Sequence, residues 1–174
     1  MAGHSKWAKL KHQKGKTDAQ KSKLFSKLVR FISVEAKKSK GDRSSPGLRV
    51  AIEKARAANM PADNIDRAIE KASTSGELEP VTYETYGPGG VALVIEGYTD
   101  SRNRTAQEIK HILSQHGVAL AQPGAASWAF ARVESKLEPS TTVEISDEDG
   151  TKLAELVDAL EDHDDVSDVY TNAA

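Results

Sequence analysis

Trp7 stands among His4, Lys6, Lys9, Lys11, Lys14 and Lys16, with no acidic residue before Asp18. Lysine ammoniums are mobile point charges that neutralise phosphates, and an indole stacks on an unpaired base, worth about 1–3 kcal/mol per base. Base-edge reading favours planar Arg or amide side chains, so this set points to backbone contact and not to sequence readout. Lys21, Lys23, Lys27 and Arg30 follow and continue the basic surface. Arg102-Asn103-Arg104-Thr105 precedes another helical pattern, where free N–H groups and the macrodipole favour an anion. The alternative there is that Arg102 and Arg104 pair with Asp100 or a nearby Glu and fix the turn. Together these residues are the candidate nucleic-acid-binding set.

Other chemistry finds little support. The chain has no Cys, which excludes disulfides, thiolate metal sites, Cys nucleophiles and haem attachment. His111 and His116 are five apart, about 140° around a helix, and do not form an i,i+4 zinc pair. Asp147-Glu148-Asp149-Gly150 lacks the ligand spacing of a calcium loop. No nucleophile–base–acid set can be singled out, so no catalysis, metal or cofactor is expected. Tyr86-Gly-Pro-Gly-Gly precedes a strand, lacks the spacing of a nucleotide loop, and reads as a structural turn. Trp128 and Phe130 alternate onto one face without the basic and Gly positions of an RNA-recognition sheet, and core or interdomain packing is expected of them.

The elements that must position these residues are legible in the periodicity. Asp18 opens a helix whose stripe is Leu24, Phe25, Leu28, Ile32 and Ala36, broken at Gly41-Asp42. Ser45-Pro46 starts a second, with Leu48, Ala51, Ile52 and Ala55, ending at Asn59-Met60-Pro61. A third carries Ile65, Ala68, Ile69 and Ala72. From Val81 the pattern changes. Val91–Ile95 is a buried strand, Thr105 and Glu108 match a capping box, and Gly117 ends the helix between. Ser127–Val133 and Thr141–Ile145 read as strands, Ser146 and Asp149 as a second capping box, and Val166–Tyr170 as a closing strand. The expected fold is α+β: a three-helix domain over 1–76, then a ferredoxin-like βαββαβ domain over 77–174.

Charge is sorted along the same boundary. Residues 1–76 hold 18 basic and 7 acidic side chains, a net of +11; residues 77–174 hold 6 and 19, a net of −13. That asymmetry is an argument about partners. The basic half suits a polyanion, with folded ribosomal RNA favoured over DNA. Glu161, Asp162, Asp164 and Asp165 gather where a helix ends, and the acidic half could engage the ribosome or another protein. A protein-interaction adaptor is the rival reading, and mutual neutralisation of the two halves is the plainest one. No apolar run approaches the ~20 residues of a membrane span, and no apolar segment of the signal-peptide kind follows the N-terminal charge, so a cytoplasmic protein is expected.

Several blocks in order resemble the YebC family: Met1–Trp7, Phe25–Leu28, Asn59–Ile65 with Arg67–Ile69, Tyr86–Ala92, Thr99–Thr105 and Ser127–Phe130. The resemblance implies a non-enzymatic regulator of gene expression, either a DNA-binding transcriptional regulator or a translation factor on the ribosome. Two departures stand out. Family members usually insert a further α/β domain between the Trp128 strand and the C-terminal helix, where this chain has only Glu134–Ser140, and Ser101 stands where Asn is usual.

Overall fold

The computed structural model describes residues 18–72 and 76–174, with backbone alone for 18–20. His4, Lys6, Trp7, Lys9, Lys11, Lys14 and Lys16 lie outside the described residues. Two compact units are present, one helical and ending at Glu79, the other running from Pro80 to Ala174.

The helical unit consists of α1 (Asp18–Lys38), α2 (Pro46–Ala57) and α3 (Ala62–Ala72). Leu28, Ile32, Ala36, Leu48, Ala51, Ile52, Ala55, Met60, Ile65, Ala68 and Ala72 form its core. Alanines at these positions let the helix axes approach closely, so three short helices bury what none could alone. The terminations are chemical. Asn59 takes φ 62°, Met60 N–H donates to Ala55 O at 2.9 Å, and Pro61 prevents continuation. Gly41, at φ 80°, likewise donates to Ala36 O at 2.8 Å and closes α1.

The second unit runs β1 (Glu79–Tyr86), β2 (Ala92–Thr99), α4 (Arg102–Gln115), β3 (Phe130–Val133), β4 (Lys136–Pro139), α5 (Asp147–Glu161) and β5 (Val166–Thr171). β1, β2 and β5 form a sheet in that order, with β2 and β5 antiparallel, Leu93 facing Thr171 and Ile95 facing Val169. Leu93 and Ile95 pack with Ile109 and Leu113 of α4 and Leu153, Leu156, Val157 and Leu160 of α5. Both helices therefore cover one face. Side chains alternate across a strand, and on the other face Ala92 packs with Ala126, Ala129 and Phe130, while Arg132 reaches Glu96. The antiparallel β3–β4 hairpin lies over the sheet face that such folds often leave open.

The chain is mixed helix and sheet, with its helical part first, as its periodicity implies. The strands differ in detail. β1 was not foreseen. Ser127–Ala129 is a 3-10 turn, with the strand confined to Phe130–Val133, and Thr141–Ile145 contributes a single parallel bridge from Val143 to Ala173. The Tyr86–Gly90 segment is the structural turn expected, with Gly87 N–H donating to Val91 O at 2.9 Å. Ser146 caps α5 as read, accepting from Asp149 N–H at 3.2 Å. Thr105 is no cap: Ser101 holds that position for α4, and Thr105 is buried one turn inside.

Candidate nucleic-acid interface

At 100° per residue, Lys23, Lys27 and Arg30 fall within one side of α1, opposite Leu28, Ile32 and Ala36. Lys37 joins them two turns on, a residue that the charge pattern of the sequence did not single out. Lys37 is exposed, Lys23, Lys27 and Arg30 are half-buried, and Val34 between them is buried. Lys21 is exposed but falls on the side of the apolar stripe, so the structure separates it from the other three. Elsewhere in the helical unit, Arg43 pairs with Asp66 at 2.7 Å, Lys38 with Glu35 at 3.1 Å, and Lys54 sits 5.1 Å from the Phe31 ring centroid.

Arg102 is exposed at the start of α4 and donates to Pro80 O at 3.4 Å. Arg104 is committed within the unit. Its guanidinium lies 2.9 Å from Asp100 and 2.9 Å from Asp165, with Glu108 at 3.8 Å. The Asp165 and Asp100 carboxylates hold its pKa above the ordinary arginine value. Asp165 is 5% exposed and also accepts from Thr105 Oγ1 at 2.7 Å, so Arg104 belongs to a framework joining α4 to the segment before β5.

Glu108, His163 and Asp165 bring ligand-type atoms within 4.8 Å of one another. His163 Nδ1 accepts the Asp165 backbone N–H at 3.0 Å, which leaves the ring proton on Nε2, 2.6 Å from Glu108. Neither ring nitrogen then turns a lone pair toward a cation, and the Arg104 guanidinium already supplies positive charge.

Sequence reasoning missed a third locale. Glu84 on β1 is 7% exposed, and its carboxylate accepts backbone N–H groups from Gly124 at 2.6 Å, Ala126 at 3.0 Å and Ser127 at 2.6 Å. Burial pushes its pKa up, but the three donors together outweigh burial and hold the carboxyl below its ordinary value. Two residues on, Tyr86 Oη donates to Ala125 O and accepts from Trp128 Nε1 at 2.8 Å, and Trp128 Nε1 also reaches Ala125 O at 2.9 Å. Trp128, for which core or interdomain packing was expected, is 61% exposed and so lies outside the core. Its aromatic body stays out because its polar edge is satisfied at the surface.

Comparison with known proteins agrees with this architecture. Residues 5–75 match the profile of the TACO1/YebC protein N-terminal domain, and residues 78–135 and 131–173 match that of the TACO1/YebC second and third domain. The two pieces meet at the β3–β4 hairpin. A probable transcriptional regulatory protein of Pseudothermotoga lettingae is 39% identical over 238 aligned positions, covering 99% of this chain and 93% of the relative. One from Petrotoga mobilis is 50% identical over 154 positions, covering 85% of this chain and 61% of the relative. The crystal structure of a conserved hypothetical protein from Aquifex aeolicus superposes with a TM-score of 0.84 at 33% identity, covering 98% of this chain and 97% of the other. With both profiles spanning nearly its whole length, the chain belongs to the TACO1/YebC family.

Proposed function

We propose that this chain is a non-enzymatic, nucleic-acid-binding regulator of gene expression whose electrostatic affinity comes from its N-terminal basic residues and α1. The observation that carries this reading is the charge partition, +11 over residues 1–76 against −13 beyond. Lys6, Lys9, Lys11, Lys14 and Lys16 supply phosphate neutralisation, Trp7 stacking, and Lys23, Lys27, Arg30 and Lys37 extend the basic surface along α1. Arg102 adds a cation at the start of α4, whereas Arg104 is left to its carboxylates. The name transcriptional regulatory protein carried by the relatives supports a nucleic-acid partner. Between targets, ribosomal RNA is favoured over an operator, because lysine-rich surfaces suit dense phosphate and lack base-reading groups.

The test is retention of the full chain on ribosomal RNA and on duplex DNA at graded salt, with ribosome co-sedimentation alongside. Binding should fall linearly in log–log salt, and RNA should be held more tightly. Replacing Lys6, Lys9, Lys11, Lys14 and Lys16 with Gln should weaken retention and flatten its slope. Absence of salt-sensitive retention on either polymer overturns the proposal in favour of an adaptor working through the acidic unit.

A further inference from the structure

Among the described residues the exposed large apolar side chains are Tyr86, Trp128 and Val133, all in the unit beyond Pro80, and two of them touch. The Trp128–Tyr86 pair is built. The indole N–H is shared between Tyr86 Oη and Ala125 O, so the polar edge is fixed while the ring carbons face solvent. The loop beneath is pinned by Glu84 through three backbone N–H groups. The local charge is also unusual. From His111 to Ala131 the sequence has no Asp, Glu, Lys or Arg, within a half whose net charge is −13.

We propose that the solvent-facing ring of Trp128, braced by Tyr86, is a stacking platform for an unpaired nucleobase of a single-stranded segment. This rests on the nucleic-acid reading above and adds a contact on the acidic unit to the phosphate contacts of the basic one. A rigid indole with satisfied edges loses little conformational freedom on stacking, and every base offers a π-face, so the contact tolerates any sequence. The segment that carries Trp128 adds no carboxylate of its own to repel an approaching phosphate backbone, and the Glu84 carboxylate beneath it is buried against three backbone N–H donors.

Trp7 and Trp128 are the two tryptophans, so the variant Trp7→Phe leaves Trp128 as the sole indole reporter. Full-length Trp7→Phe protein is titrated with single-stranded RNA of about twelve nucleotides, while a labelled copy of that RNA reports total binding by anisotropy. Trp128 emission should quench in step with the anisotropy. A blunt RNA duplex, whose bases stay stacked, should raise anisotropy without quenching. Trp128→Ala should weaken single-strand binding about 5- to 140-fold at unchanged salt slope, because stacking releases no counterions. Trp128→Phe, which keeps a ring, should recover part of that loss. Anisotropy without quenching, equal quenching by the duplex, or unchanged affinity in Trp128→Ala overturns the platform and leaves the basic-surface reading standing. No anisotropy change at all overturns both. An emission shift that follows protein concentration without RNA assigns the pair to protein contact and overturns the platform.

Discussion

The carboxylate of Glu84 accepts the backbone N–H of Ser127 at 2.6 Å across 43 residues of sequence. With Gly124 and Ala126 as further donors, one side chain on β1 satisfies three peptide groups in the loop that leads to Trp128. Glu84→Gln replaces an all-acceptor group with one that turns an NH2 toward those donors. The expected loss is about 2–3 kcal/mol, the range for hydrogen bonds to a charged group and for stranded donors. Denaturant unfolding measures it, and a midpoint shift below the scatter of replicates would remove Glu84 as the anchor.

The same carboxylate sets a pH dependence. Its pKa is lower folded than unfolded, so the unfolded state takes up the proton first. Its contribution is fully present above the ordinary Glu pKa of 4.5 and is lost as pH falls through the lower folded value. The acid limb of stability against pH should therefore be steeper in the parent chain than in Glu84→Gln. Superimposable limbs would contradict the assignment.

This anchor could not be read from the sequence, whereas the helices could. Leu28, Ile32 and Ala36, or Leu153, Leu156, Val157 and Leu160, declare a helix because burial follows a local three-to-four-residue period. Glu84 is buried because of donors some 40 residues away, and no local pattern encodes that. Thr105 shows the same failure: Thr-x-x-Glu mimics a capping box, but its hydroxyl is 2.7 Å from Asp165, 60 residues on. For Trp128 the core half of the expectation fails. A large ring predicts burial only until its N–H finds surface partners, and those come from Tyr86 and Ala125. The basic side of α1 was legible apart from Lys21, which the helix turns to the side of the apolar stripe, and Lys37, which lies beyond the run of charges that drew attention.

Gly97 provides a steric prediction. It lies at the register shift between β2 and β5, and a Cβ there would be 2.0 Å from Asp165 O, a backbone atom that already accepts Tyr98 N–H at 2.9 Å. Neither strand can yield without breaking the pairing. Gly97→Ala should cost about 3 kcal/mol, the upper range for overpacking. Gly41→Ala, with nothing within 4 Å but φ 80°, should cost about 1 kcal/mol from backbone strain alone. Thermal unfolding of the two variants checks the order, and a reversal would remove the close approach as the reason for glycine at 97.

On α1 the basic side predicts a change in slope. Replacing Lys23, Lys27, Arg30 and Lys37 with Gln removes up to four cations that could neutralise phosphates while leaving Leu28, Ile32 and Ala36 in place. The log–log salt slope for RNA should then become shallower by about 0.7–0.9 for each phosphate no longer neutralised. Lys21→Gln, on the other side of the helix, should change it little. Equal effects from Lys21→Gln and from any one of the four would mean that bulk charge, not one helix side, governs binding.

Asp165 and Arg104 allow the two readings of the Arg102–Thr105 turn to be separated by measurement. The Asp165 side chain is 4% exposed, that of Arg104 44%, and their 2.9 Å contact joins α4 to the segment entering β5. Asp165→Asn keeps the size and loses the charge, with an expected cost of about 2 kcal/mol, as for a hydrogen bond to a charged group. If Arg104 acts through that carboxylate, Arg104→Gln should destabilise the parent chain more than it destabilises the Asp165→Asn variant. A double-mutant cycle reads the difference directly. The RNA salt slope of Arg104→Gln should match that of the parent, since this guanidinium is spent on the protein's own carboxylates. Additive stabilities together with a shallower slope would return Arg104 to the phosphate-binding surface and make its pairing with Asp165 incidental.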